Sequence, residues 1–193
     1  DQSQDGAKHC VKRIRANVRM MNDFVKVLLD TSRIATGEFE FQTIDMSELV
    51  DEVIGSMQEN AEKQGAVIER EGEFPKVECD SVRATQVFSN LVSNSLSHCK
   101  ETENLKITIL GQQGVFSVKD NGPGMDEEFR DRAFEPFSTG SRNDGNHFGM
   151  GMNIVFKIIE KHGGEIWIES EPERGATISF TFGPPPYRGV IKE

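Results

Sequence analysis

The 193-residue sequence predicts an α/β domain, and three observations carry that prediction. Short runs with apolar residues at every second position, such as Val115–Lys119 and Ala176–Phe182, have the period of strands with one buried face. Longer runs between them place apolar residues three and four apart, the period of an amphipathic helix. Glycines, prolines and acid–amide pairs mark the joints. With 36% hydrophobic residues the chain can bury a core of its own.

The first helical run covers residues 8 to 35, with Val11, Ile14, Val18, Met21, Val25, Leu28, Ser32 and Ala35 forming a seam of heptad type, and Gly37 ends it. A helix this long at the start of a domain needs other helices over its seam. We expect a bundle, completed by a second copy of the chain. Phe39 and Phe41 alternate with polar residues and read as a short strand. Asp45 followed by Glu48 is a capping box for a helix bearing Leu49, Val53, Met57 and Ala61, stopped by Gly65. Short strands follow at Val67–Ile68 and around Val77, and Asp80 caps a helix running to about His98. Leu105–Leu110 and Val115–Lys119 form a hairpin across Gly111–Gly114. A short helix starts near Met125, and a longer one carries Ile154, Val155, Ile158 and Ile159 before Gly163 and Gly164. Ile166–Ile168 and Ala176–Phe182 are the last strands, and Pro184–Pro186 leaves the sheet.

Composition narrows the partners. A formal net charge of -10 argues against a nucleic-acid surface and an anionic membrane surface. It is compatible with a nucleotide that arrives with a metal ion. Cys10, Cys79 and Cys99 are odd in number and lack metal-like spacing, which fits a reducing compartment, the cytoplasm. No apolar run approaches membrane-spanning length, so no direct membrane contact is expected. The first residue is Asp1 rather than Met, so the chain reads as an excerpt whose anchor or sensor would lie upstream.

Three motifs carry chemistry. In Asp120-Asn121-Gly122-Pro123-Gly124 an acid leaves the end of a strand, where it can accept from an amine, while Gly122 and Gly124 allow close backbone approach. The same letters also make a plain turn. Asn90 and Asn94, four apart, share a helix face, with Gln86 and His98 in the same row. They are either solvated surface or oxygen ligands for magnesium, which takes few protein groups when phosphates are present. Gly149-Met150-Gly151-Met152 opens a helix, where free amides and a positive dipole end could seat phosphate. The polar stretch Ser138–His147 is long enough to be a lid.

Taken in order, these motifs, with Phe134-Glu135-Pro136-Phe137 and Gly175-Ala176-Thr177 added, resemble the catalytic ATP-binding domain of two-component sensor histidine kinases. The wider superfamily includes gyrase and the ninety-kilodalton heat-shock chaperone. Residues 1–40, with Leu28–Ile34 and Gly37, resemble the second helix of the dimerisation and phosphotransfer bundle, residues 41–183 the catalytic domain, and 184–193 a tail. The resemblance implies a two-layer sandwich, a mixed sheet covered on one face by helices. It implies ATP and Mg2+ as cofactors, a response regulator receiver domain as partner, and a homodimer through the bundle helix. It makes Asn94 and Asn90 the magnesium and phosphate-side groups, and Asp120 the adenine reader, supported by Thr177 through a water. Gly122 and Gly124 approach the base, Phe134 and Phe137 anchor the lid, and Gly149, Met150, Gly151 and Met152 seat the phosphates. His98 stabilises the nucleotide side of its helix.

There are departures. The family's lysine after the paired asparagines is Ser97 here, leaving Arg142 as a substitute, and the usual Gly-Thr before Gly149 is His147-Phe148. No phosphoacceptor segment is visible: His9 stands at the start of what resembles the second helix, without the expected acid beside it. The expected activity is therefore transfer of the γ-phosphate of Mg-ATP to a histidine outside this fragment. The rival readings are a non-enzymatic nucleotide-binding scaffold and an ATPase clamp of the gyrase kind.

Overall fold

Three helices start where the sequence supplies an acid to cap them. Helix α1 (Met46–Lys63) begins at Asp45, whose carboxylate accepts from the amides of Ser47 and Glu48. Helix α2 (Ser81–His98) begins at Asp80, whose Oδ1 accepts from the Arg83 amide at 3.0 Å. The short α3 (Glu127–Arg132) begins at Asp126, which accepts from Phe129 at 2.7 Å. Each cap satisfies amides that the first helical turn leaves without partners. Helix α4 (Gly151–Lys161) buries Ile154, Val155, Ile158 and Ile159, the face its spacing predicts. The computed structural model describes residues 18, 21, 25, 29, 32, 34, 36–136, 138 and 151–184. Among these, no helix is long and apolar enough to cross a membrane.

Among the described residues there are seven strands: β1 (Gln42–Asp45), β2 (Val67–Gly72), β3 (Lys76–Cys79), β4 (Lys106–Gln112), β5 (Val115–Asp120), β6 (Ile166–Ser170) and β7 (Ala176–Thr181). Strands β1 and β3 form a two-stranded antiparallel ribbon, and the other five form a sheet ordered β2-β4-β5-β7-β6. Only β2 and β4 run parallel. A parallel pair needs a crossover, and β3 with α2 supplies it, which lays α2 across the sheet. The result is the mixed sheet with helices that the resemblance implies. The hairpin is tighter than expected: β4 and β5 extend to Gln112 and Val115, and only Gln113 and Gly114 turn, both at positive φ.

The core lies between the helices and one face of the sheet. Phe88 of α2 is fully buried, with ring centroids 5.9 Å from Phe116 and 5.2 Å from Phe180. The opposite face carries polar residues, with Ser117 and Ser179 hydroxyls 2.8 Å apart.

Two expectations change at the N-terminal side. Phe39 and Phe41 are not in a strand; β1 starts at Gln42, and both rings pack against His162 at 5.0 and 5.2 Å. An aromatic cluster, not a strand partner, accounts for their alternation. Of the predicted helical seam, Val18, Met21, Val25 and Ser32 are described, and all four are exposed in the single chain. Ile34, outside that seam, is the buried residue, at 1% exposure. The Lys161 ammonium donates to the carbonyls of Ile34 and Gly37, which ties this segment to the end of α4.

His162 is built in as a neutral imidazole. Its Nε2 accepts from the Asp80 amide at 3.1 Å, and its Nδ1 donates to the Ile158 carbonyl at 2.8 Å. Burial is the largest influence and pushes its pKa below the ordinary 6.5, against the Ile158 bond and the Asp80 charge. The unfolded chain therefore takes up this proton more readily than the folded one. The stabilisation is complete above pH 6.5 and is lost as pH falls towards the folded value. We expect the unfolding midpoint to drop on acidification below pH 6.5, and the drop to be shallower in His162→Gln. Equal slopes in parallel thermal melts would contradict this.

Candidate functional site

Asp120, the last residue of β5, is 6% exposed and has partners on both oxygens. Its Oδ1 accepts from the amides of Gly122 at 2.9 Å and Ala176 at 3.3 Å. Its Oδ2 accepts from Ser95 Oγ at 2.9 Å. Cys99 lies beside the same carboxylate, and its thiol is pushed up to about 12, first by burial and then by the Asp120 charge. The thiol thus stays protonated.

Beside this carboxylate lies a cavity of about 250 Å³. Helix α2 lines it with Asn94, Ser95, His98 and Cys99, and the sheet with Asp120, Ala176 and Ile178. Met125, Phe129, Ala133 and Met152 add apolar walls. A slot with apolar walls and one buried carboxylate suits a flat heterocycle that offers an N–H donor.

The turn after Asp120 needs its glycines for different reasons. A Cβ on Gly122 would lie 2.1 Å from Cys99 Sγ and 2.9 Å from Asp120 Oδ1. Gly124 holds φ at +67°, and a Cβ there would lie 2.0 Å from the Glu171 carbonyl oxygen. So the two glycines let the turn press against α2 on one side and the β6–β7 turn on the other.

The structure brings Asn94, His98, Asp120, Gly124 and Met152 together around the cavity. Gly151 stands against Asn94, its Cβ position 3.1 Å from Oδ1. Asn90 lies one turn back on α2, and its buried Nδ2 has no acceptor among the described residues. Phe134 is held by its ring against Phe156 at 5.7 Å and by its carbonyl, which accepts from Asn153 Nδ2. Phe137, Arg142, Gly149 and Met150, with the lid stretch and His147-Phe148, lie outside the described residues.

Thr177 is a correction. Asp120 pairs with Ala176 across β5 and β7, and directly opposed residues share a face. Ala176 and Ile178 line the cavity, so Thr177 points to the other face, opposite Lys119. It cannot support the acid. The group that reaches the acid is Ser95, which the motif reading missed. Its spacing of one from Asn94 was the available signal, but a serine within an amphipathic helix has no pattern of its own.

The family described as "Histidine kinase-, DNA gyrase B-, and HSP90-like ATPase" matches residues 79–186, which contain α2, Asp120, the cavity and β7. The chain belongs to this family. It is 33% identical over 182 residues to the phytochrome-like protein Cph1 of Synechocystis sp. (strain ATCC 27184 / PCC 6803 / Kazusa), covering 92% of this chain and 24% of Cph1. The chain therefore spans about a quarter of the length of the phytochrome-type relatives it matches. Among solved structures it resembles the catalytic domain of histidine kinase ThkA, with 33% identity and a TM-score of 0.63, covering 76% of this chain and 98% of that domain. It also resembles ThkA in the complex with response regulator protein TrrA, at 27% identity and a TM-score of 0.62, over 87% of this chain and 50% of that one. The fold is thus that of a histidine kinase-type ATPase domain, as the motif order implies.

A change at Gly124 tests the turn. Gly124→Ala meets both a left-handed φ and a main-chain oxygen. We expect a loss above about 1 kcal/mol in denaturant unfolding. A variant as stable as the parent would show that the turn can relax.

Proposed function

We propose that this chain binds Mg-ATP in the cavity beside Asp120 and acts as the catalytic domain of a sensor histidine kinase. In that role it presents the γ-phosphate to a histidine outside this fragment, and a response regulator receives it. The observation that carries this reading is the buried Asp120 carboxylate at the edge of a mostly apolar slot. Its Oδ2 accepts the exocyclic amine of adenine, while Met125, Phe129, Met152 and Ile178 enclose the ring.

Asn94 and Asn90 hold the phosphate side. The Asn90 Nδ2 donor, buried without an acceptor among the described residues, fits a phosphate oxygen or a metal-bound water. Among the described residues, the lining includes Asp120 and Asp126 but neither lysine nor arginine. Charge on the triphosphate therefore needs a cation, and magnesium supplies that neutralisation when bound. Gly151 leaves room next to Asn94 for the phosphates, and the family resemblance assigns Gly149, Met150 and Arg142 to the same role. Ser97 does not replace the family's lysine in charge. The domain's contribution to phosphoryl transfer is positioning and charge stabilisation rather than covalent chemistry.

The acceptor is neither His98 nor His162. The first lines the nucleotide cavity and the second is buried with both ring nitrogens engaged. The TrrA complex of ThkA supports a receiver domain as the partner. Val18, Met21, Val25 and Leu29, all exposed on the leading helix, support a homodimer through residues 1–40, with 41–183 as the catalytic unit and the remainder as a tail. Nothing in the site favours the non-enzymatic scaffold. A cytoplasmic position follows from this role.

Two outcomes are expected. Asp120→Asn replaces a charged acceptor and should weaken ATP binding by about 1.5–3 kcal/mol, roughly 10- to 100-fold. Unchanged affinity in calorimetry would remove Asp120 from its role. With radiolabelled ATP the chain alone should stay unlabelled, and added acceptor-bearing bundle should gain acid-labile phosphate. Stable label on the chain itself would refute the assignment of an external acceptor.

A further inference from the structure

Two side chains one helical turn apart, Ser95 and Cys99, lie beside Asp120 at the end of α2, and the serine is bonded to it. Residues four apart share a helix face, so the convergence is built into the helix. The two main-chain donors, Gly122 and Ala176, both bind Oδ1. Among the described residues, those bonds leave Oδ2 without a main-chain donor. Ser95 Oγ, at 2.9 Å, is the donor that holds Oδ2. A helical serine usually bonds back to the carbonyl four residues earlier. Here the hydroxyl, 4% exposed, goes to a residue 25 positions away. Cys99 Sγ occupies the space that a Cβ on Gly122 would take, so it blocks the carboxylate from swinging towards the helix end.

We infer that Ser95, backed by Cys99, is the positioning residue for Asp120, and so sets the preference for a purine that carries an exocyclic amine. The inference rests on the proposed reading of Asp120 as the amine acceptor. A carboxylate oxygen has two acceptor directions. Ser95 occupies one on Oδ2 and thereby aims the other into the cavity. Without the hydroxyl, the acid keeps its charge and its two main-chain bonds but loses its aim.

The test compares two probes on the intact chain by calorimetry: ATP, and purine riboside triphosphate, which lacks the amine. Ser95→Ala should lower the ratio of their affinities by about tenfold. Binding of the amine-free probe should hold within about twofold of the parent. Ser95→Thr, which keeps the hydroxyl, should retain the ratio. Cys99→Ser should retain it, and Cys99→Ala should lower it by less than Ser95→Ala. Asp120→Asn is measured alongside. If Asp120→Asn collapses the ratio and Ser95→Ala leaves it intact, the positioning role is refuted while the reading of Asp120 survives. If Ser95→Ala weakens both probes equally, the serine is only structural and the inference fails. If Asp120→Asn itself leaves the ratio unchanged, the underlying reading fails and the inference falls with it.

Discussion

A buried carboxylate must find donors, and in this domain that requirement organises three elements around one point. Asp120 sits at 6% exposure, where an unpaired charge would be costly. Its partners come from the turn after β5, the first residue of β7 and the last turn of α2. None of these can shift far without stranding the acid. The cavity beside it is therefore preformed, with apolar walls on one side and a fixed polar edge on the other.

The helices that build this site are anchored at their far ends to the segment before β1. Helix α2 runs from Asp80, which accepts from the Glu40 amide, to Asn94, Ser95 and Cys99 at the cavity. Helix α4 runs from Gly151 and Met152, next to Asn94 and in the cavity, to Lys161 and His162. Lys161 caps the carbonyls of Ile34 and Gly37 and lies 4.6 Å from the Phe39 ring centre. The helices also pack on each other. Proposed phosphate seat and bundle connection thus occupy opposite ends of the same two rigid elements.

Much of this layout is legible in the sequence because it depends on local physics. Asp45 and Asp80 mark helix starts through capping, and the span of α2 follows from its apolar period. The place of Asp120 at a strand end follows from the alternation before it and the turn letters after it. Other features were not legible. The alternation of Phe39 and Phe41 has the strand period, yet their neighbour is His162, more than 120 residues later. Thr177 and Ala176 are adjacent, and only the β5–β7 register shows which of them shares a face with the acid.

The sequence alone determined the family, the helix starts, the acid at the strand end and the paired amides on one helix face. These depend on residues within a turn or two of each other, where periodicity and capping are sufficient. Tertiary structure alone decided that Ser95 and Cys99 meet Asp120, that Thr177 does not, and that Lys161 and His162 hold the segment before β1. Those contacts depend on a crossover and on strand register, and a shift of one residue in register reverses which side chain faces the core.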